Sequence, residues 1–128
     1  MSRLELRAVG AAAPDTVWRR YVVVDRWRTW SPQVRAVHTD SPEIRPGLAG
    51  TVETFAGIRV AFTVESVDHD RRDWTWRVRL GPARLRLRHE VSPHGEGSAT
   101  GLVMEGPAPL LAAYAPLARC ALQRLVRP

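Results

Sequence analysis

The stretch Trp74-Thr75-Trp76-Arg77-Val78-Arg79-Leu80, Gly81-Pro82, Ala83-Arg84-Leu85-Arg86-Leu87-Arg88-His89-Glu90-Val91 decides the fold. Apolar and charged residues alternate with period two on both sides of Gly81-Pro82, as in two half-buried strands joined by a tight turn. In the second strand Leu85, Leu87, His89 and Val91 share one face, and Arg84, Arg86, Arg88 and Glu90 share the other. In the first, Trp76 looks the same way as Val78 and Leu80. Such a hairpin buries one side only, so other elements must cover its apolar face.

Working outward, more strands appear on both sides. Thr51–Phe55 and Ile58–Val67 flank a hairpin signal at Ala56-Gly57, and Asp68–Asp73 is a polar turn leading into Trp74. Val34–Thr39 precedes a turn-rich run, and Ala99–Glu105 follows a loop at Pro93–Gly97. Leu4–Val9 alternates as a first strand. Between it and Val34, Ala13-Pro14-Asp15 opens a helix with Val17, Trp18, Tyr21 and Val24 on its apolar stripe and Arg19 and Arg20 toward water. Asp25–Trp30 forms a second short helix, stopped at Ser31-Pro32. Pro109–Arg127 is the longest helix, with Leu111, Tyr114, Ala118, Ala121, Leu122 and Leu125 on one face and a kink or break expected at Pro116. The fold class is α+β, one domain over residues 1–128. A curved antiparallel sheet of about six or seven strands wraps the long C-terminal helix, with two short helices after the first strand. A sheet wrapped round a helix leaves a concave apolar space where the two part.

Composition narrows the class. With 45% hydrophobic and 25% charged residues, the chain has the make-up of a folded globular domain. The N-terminus reads as a strand rather than a signal peptide, and Gly106–Leu117 is too short to span a bilayer, so a cytoplasmic protein is expected. The net charge is +6, yet all 19 basic residues are arginine. With abundant Ala, Gly and Pro, that is the bias of a GC-rich bacterial coding sequence and not by itself a nucleic-acid footprint. The single cysteine, Cys120, excludes an internal disulfide and reads as a buried, inert thiol.

Trp27-Arg28-Thr29-Trp30-Ser31-Pro32-Gln33-Val34 resembles the W-x-x-W-S-P-x-V segment of the SRPBCC (START-like) superfamily. Arg45-Pro46-Gly47, Val64-Glu65-Ser66-Val67-Asp68 and Asp73-Trp74-Thr75-Trp76 are similar to that family's later landmarks, in the same order. Leu87–Val91 and the Glu105-Gly106-Pro107 entry to the last helix complete the match. The polyketide cyclase/dehydrase-like branch is the most similar. The resemblance implies a helix-grip fold, a pocket for a small hydrophobic or aromatic molecule such as a polyketide or lipid, and Trp30 near its entrance. It brings no universal catalytic signature.

Three readings of function follow. In the first, the protein binds a hydrophobic ligand between sheet and helix, against Trp30, Phe62, Trp76, Val78, Leu87, His89, Met104, Leu111 and Tyr114. In the second, the same pocket is a cyclase or dehydratase using His89 with Glu53 or Tyr114. A two-residue turn at Ala56-Gly57 pairs Glu53 with Val60 and sends Glu53 inward, and a one-residue slip puts Glu53 in water and Val52 inside. In the third, Arg77, Arg79, Arg84, Arg86 and Arg88 form a basic stripe on the convex face for an anionic partner. The stripe lacks the interleaved aromatics of a single-stranded nucleic-acid site, so nucleic acid is not the expected partner. His38, His69, His89 and His94 are too scattered for metal binding, and no nucleotide fingerprint is present, so no metal, no cofactor and no membrane insertion are expected. A monomer or homodimer fits equally.

Overall fold

The computed structural model describes all 128 residues. Seven antiparallel strands form one sheet: β1 (Ser2–Gly10), β2 (Val34–Thr39), β3 (Ala49–Thr54), β4 (Arg59–Asp68), β5 (Asp73–Leu80), β6 (Ala83–His94) and β7 (Gly97–Gly106). Their order across the sheet is β1-β7-β6-β5-β4-β3-β2. Helices α1 (Pro14–Val22) and α2 (Trp27–Trp30) fill the connection from β1 to β2, with a 3-10 turn at Val24–Arg26 between them. Helix α3 (Ala108–Leu125) closes the concave side. The expected fold class is therefore the observed one.

Turn chemistry makes the sheet a meander. The β5–β6 and β6–β7 hairpins are two-residue turns led by Gly81 and Gly95, both at φ +57°. A glycine at the first turn position matches the twist of the flanking strands. The second hairpin is tighter than the sequence suggests: Pro93 and His94 stay in β6, opposite Ser98 and Gly97, rather than forming a loop. Proline is tolerated there because β5 begins only at Asp73, opposite Glu90, which leaves one flank of β6 unpaired beyond that point. In β4, Glu65 is an extra residue between the Val64–Trp76 and Ser66–Thr75 pairs. A bulge of this kind bends its strand and helps the sheet curl.

Helix α3 is anchored at its C-terminal end. The Ala12 amide donates to the Val126 carbonyl at 3.1 Å. Gly10 leaves so little room that a Cβ there would stand 2.2 Å from the Val126 carbonyl oxygen. Arg20, expected to face water, instead donates to the carbonyls of Leu125, at 2.7 Å, and Arg127. A guanidinium on the last carbonyls of a helix satisfies orphan acceptors and complements the macrodipole. The helix also runs unbroken through Pro116, contrary to the expected break. Pro116 and Ala112 both face solvent, so the carbonyl it leaves without an amide partner is open to water. No helix is long and apolar enough to cross a membrane.

Candidate ligand cavity

Where α3 diverges from the sheet, a cavity of about 280 Å³ remains, and 21 of its 25 lining residues are hydrophobic, none of them Asp, Glu, Arg or Lys. Its floor is the inward face of β3 to β7, its roof the inner face of α3, and its flank the single turn of α2. In α2, Trp27 and Trp30 sit three residues apart and so share a face. Their indole N–H groups are fixed on main-chain carbonyls, Trp27 on Tyr21 at 2.8 Å and Trp30 on Arg20 at 3.0 Å. On the floor, the Trp74 ring lies 5.1 Å from Trp76 and 5.6 Å from Trp27. The lining residues most open to solvent, Phe55, Ala56 and Ile58, belong to the β3–β4 hairpin tip, so the cavity opens beneath that tip.

His89 is the one titratable nitrogen base in the wall, and both of its nitrogens are committed. Trp76 donates its indole N–H to Nε2 at 3.1 Å. An indole nitrogen only donates, so Nε2 is the bare nitrogen and Nδ1 carries the proton. That proton goes to Tyr21 Oη at 3.2 Å, the Tyr21 hydroxyl to Thr100 Oγ1 at 2.7 Å, and the Thr100 hydroxyl to the Glu90 carbonyl at 2.9 Å. Every hydrogen in this chain points the same way, from indole to backbone. The Trp74 ring stacks on the imidazole at 4.8 Å and 13°. Burial holds the His89 pKa down, to about 3, and burial likewise pushes the Tyr21 phenol up. The histidine is a neutral, oriented part of the wall.

Glu53 does not join it. The β3–β4 turn has three residues, Phe55-Ala56-Gly57, with Gly57 at φ +75°, and the Thr54 amide donates to the Ile58 carbonyl at 2.9 Å. The register therefore pairs Val52 with Val60 and Glu53 with Arg59. Val52 lines the cavity, and Glu53 lies outside on His38 at 3.3 Å, a bond that holds its carboxyl below the usual range. The inward register expected from a two-residue turn is not adopted, and Glu53 and His89 are on opposite faces of the sheet.

Of the residues expected to contact ligand, Trp30, Trp76, Val78, Leu87, His89 and Tyr114 do line the cavity. Phe62, Met104 and Leu111 are buried but do not. The Phe62 ring lies over Gly50, where a Cβ would stand 2.7 Å from its Cζ, and packs behind Trp27 and Trp76. Met104 and Leu111 belong to the closely packed core between sheet and helix. Trp27, Trp74 and Gln33 are wall residues that were not foreseen. Gln33 donates from Nε2 to the Tyr114 hydroxyl at 2.9 Å, and burial raises the Tyr114 phenol's pKa. Gln33 Oε1 and Trp74 Nε1 are the two buried side-chain polar atoms without a partner. Each such atom costs on the order of 1–3 kcal/mol. No group of three or more His, Cys, Asp or Glu side chains is placed so as to hold a metal ion.

A family model described as polyketide cyclase / dehydrase and lipid transport matches residues 1–127. The chain belongs to that family. Solved structures agree on the fold. A protein from Nitrosospira multiformis superposes with a TM-score of 0.82 at 12% identity, over 98% of this chain and 94% of the other. The crystal structure of Ara h 8.0201 gives 0.80 at 10% identity, over 97% and 94%. A hypothetical protein, jhp0584 from Helicobacter pylori, gives 0.78 at 18% identity, over 98% and 86%. At these identities the likeness concerns architecture alone. A search of curated proteins returned no match.

Proposed function

We propose that this protein binds a small, uncharged hydrophobic or aromatic molecule, of the polyketide or lipid type, in the cavity between the sheet and α3. The observation that carries this reading is the cavity wall itself: predominantly apolar, rich in tryptophan, and without a charged side chain to hold an ionised ligand. An ion entering such a site would lose its hydration with no partner to replace it. At about 280 Å³ the space lies at the lower edge of the range for small-molecule sites, roughly 300–1,000 Å³, which favours a compact ligand.

Membership in a family described by cyclase, dehydrase and lipid transport is compatible with binding or with catalysis. The geometry favours binding. A general base needs a free lone pair within reach of the substrate, whereas His89 Nε2 accepts from Trp76 and its Nδ1–H donates to Tyr21. The test is native mass spectrometry of the purified protein beside the denatured sample, followed by titration with the neutral probe N-phenyl-1-naphthylamine. A released apolar adduct, or saturable probe binding lost on filling the cavity, supports the reading. An empty protein that ignores neutral aromatic and acyl probes alike overturns it.

A further inference from the structure

Two cross-strand arginine pairs lie side by side on the convex face, and only one is neutralised. Arg77 on β5 stands opposite Arg86 on β6. The bulged Glu65 reaches both, with one carboxylate oxygen 2.9 Å from Arg77 Nε and the other 3.1 Å from Arg86 Nε, and Glu105 adds a 3.5 Å contact to Arg86. Arg88 is likewise held by Asp73 and Glu90. One row nearer the cavity mouth, Arg79 stands opposite Arg84, and the β4 residue beside Arg79 is Ala61. Neither Arg79 nor Arg84 has a carboxylate within ion-pair distance, nor do Arg35 and Arg59 in the neighbouring strands. Glu53, between those last two, hydrogen-bonds His38 and lies in the field of both guanidiniums without an ion pair to either, so the uncompensated pair is Arg79 with Arg84. Like charges directly opposite on a ladder repel each other, so the stripe foreseen from the sequence is compensated at its far end and uncompensated at the mouth.

The same end exposes apolar surface. Phe55 is 63% exposed and Ile58 50% exposed, at the hairpin tip above the opening. The segments completing the rim, Trp27–Val34 and Pro107–Leu117, contain no acidic residue. An apolar tip flanked by unpaired arginines has the chemistry of an interfacial anchor: the apolar groups enter the headgroup–acyl boundary while the cations meet lipid phosphates. A single strand of nucleic acid would need aromatics interleaved along the basic groove. Here Trp74 and Trp76 turn to the other side of the sheet, and an exposed isoleucine has nothing to stack on.

We infer that this end of the protein docks on an anionic bilayer, with Phe55 and Ile58 in the interface and Arg35, Arg59, Arg79 and Arg84 on lipid phosphates, so that the cavity mouth faces the membrane. The docking surface is independent of what fills the cavity, and its test reads adhesion rather than occupancy. The full-length protein is co-sedimented with vesicles of phosphatidylcholine, with and without phosphatidylglycerol, at low and physiological salt. Binding is expected only to the vesicles containing phosphatidylglycerol, and weaker at higher salt. Arg79→Gln/Arg84→Gln should weaken it about 25-fold, roughly five-fold per arginine. Phe55→Ser/Ile58→Ser should remove the binding that survives salt. Arg119→Gln/Arg124→Gln, which changes net charge equally on the outer face of α3, should retain nearly full binding. Thermal melts and far-ultraviolet circular dichroism establish that each variant is folded. No adhesion to the anionic vesicles, or equal losses from the two arginine pairs, overturns the inference. So does adhesion indifferent to Phe55 and Ile58 together with equal affinity for a single-stranded oligonucleotide, which would assign the surface to nucleic acid.

Discussion

The indole of Trp76 and the imidazole of His89, on neighbouring strands, are joined by one hydrogen bond of 3.1 Å that fixes which nitrogen of the histidine is bare. From that bond follows the direction of the polar chain through Tyr21 and Thr100, and the burial of the same imidazole brings a pH dependence. The unfolded histidine titrates near 6.5, whereas the folded one resists protonation down to about 3. Between those values the unfolded state binds the extra proton, so stability rises with pH and falls on acidification, by at most about 1.4 kcal/mol per pH unit. Urea unfolding from pH 7.5 to 5 should show this slope, and His89→Gln should flatten it. An unchanged slope in the variant would place the titration elsewhere.

The β3 register separates two adjacent residues by environment. Val52→Asp puts a carboxylate in an apolar wall and should destabilise the protein by about 3 kcal/mol or more. Glu53→Ala, on the outer face, should cost less than about 1 kcal/mol, since its pair with His38 is exposed. Denaturant midpoints measure both. The reverse ranking would mean that Glu53 is the inward residue.

Val78 lines the cavity and is only partly buried. Val78→Phe should occupy that space, lowering naphthylamine affinity at least about ten-fold while changing stability by less than about 1.5 kcal/mol, because an existing void takes the added atoms. Loss of folding with no void filled would show that the wall is already closely packed.

Arg20→Ala should cost about 1–2 kcal/mol by leaving the carbonyls at the end of α3 without their guanidinium. Amide exchange in the last turn of α3 should speed up more than exchange in β6. Uniform acceleration across the chain would instead indicate a general loss of stability.

Gly10→Ala should be costly, on the order of 1–3 kcal/mol or above, because the atom it meets is a main-chain oxygen that cannot swing aside. Gly101→Ala is the control: its nearest neighbour, at 3.0 Å, is the end of the flexible Glu90 side chain. Thermal melts of the pair should differ clearly.

What was legible from sequence depended on how strongly each segment was patterned. In β5 and β6 arginine alternates with leucine, valine and tryptophan, so the inward face could be read directly and Trp76, Val78, Leu87 and His89 were placed correctly on it. In β3, Thr51-Val52-Glu53-Thr54 offers a single apolar residue, and the register rested on the length of a turn containing one glycine. Gly57 takes a left-handed conformation as the last residue of a three-residue turn, and that one residue sends Glu53 outward. Trp27 could have been foreseen in the wall, since it lies three residues before Trp30. Phe62 was misplaced because alternation says which side of a sheet a ring faces, not whether it meets space or another ring. Arg20 carried no local signal at all: its partners are more than one hundred residues away.

The pairing of Ser2 with Gly106 at one end of the sheet, and the contact of Gly10 with Val126 at the other, set the two chain ends on opposite poles of the molecule. Ser2 lies at the pole where α3 begins and the hairpin tip opens, and Pro128 lies at the sealed pole. A label or fusion at the C-terminus therefore points away from the opening. Tethering the protein to a sensor chip by its last residue would present the opening outward, and tethering by its first would turn the opening toward the chip.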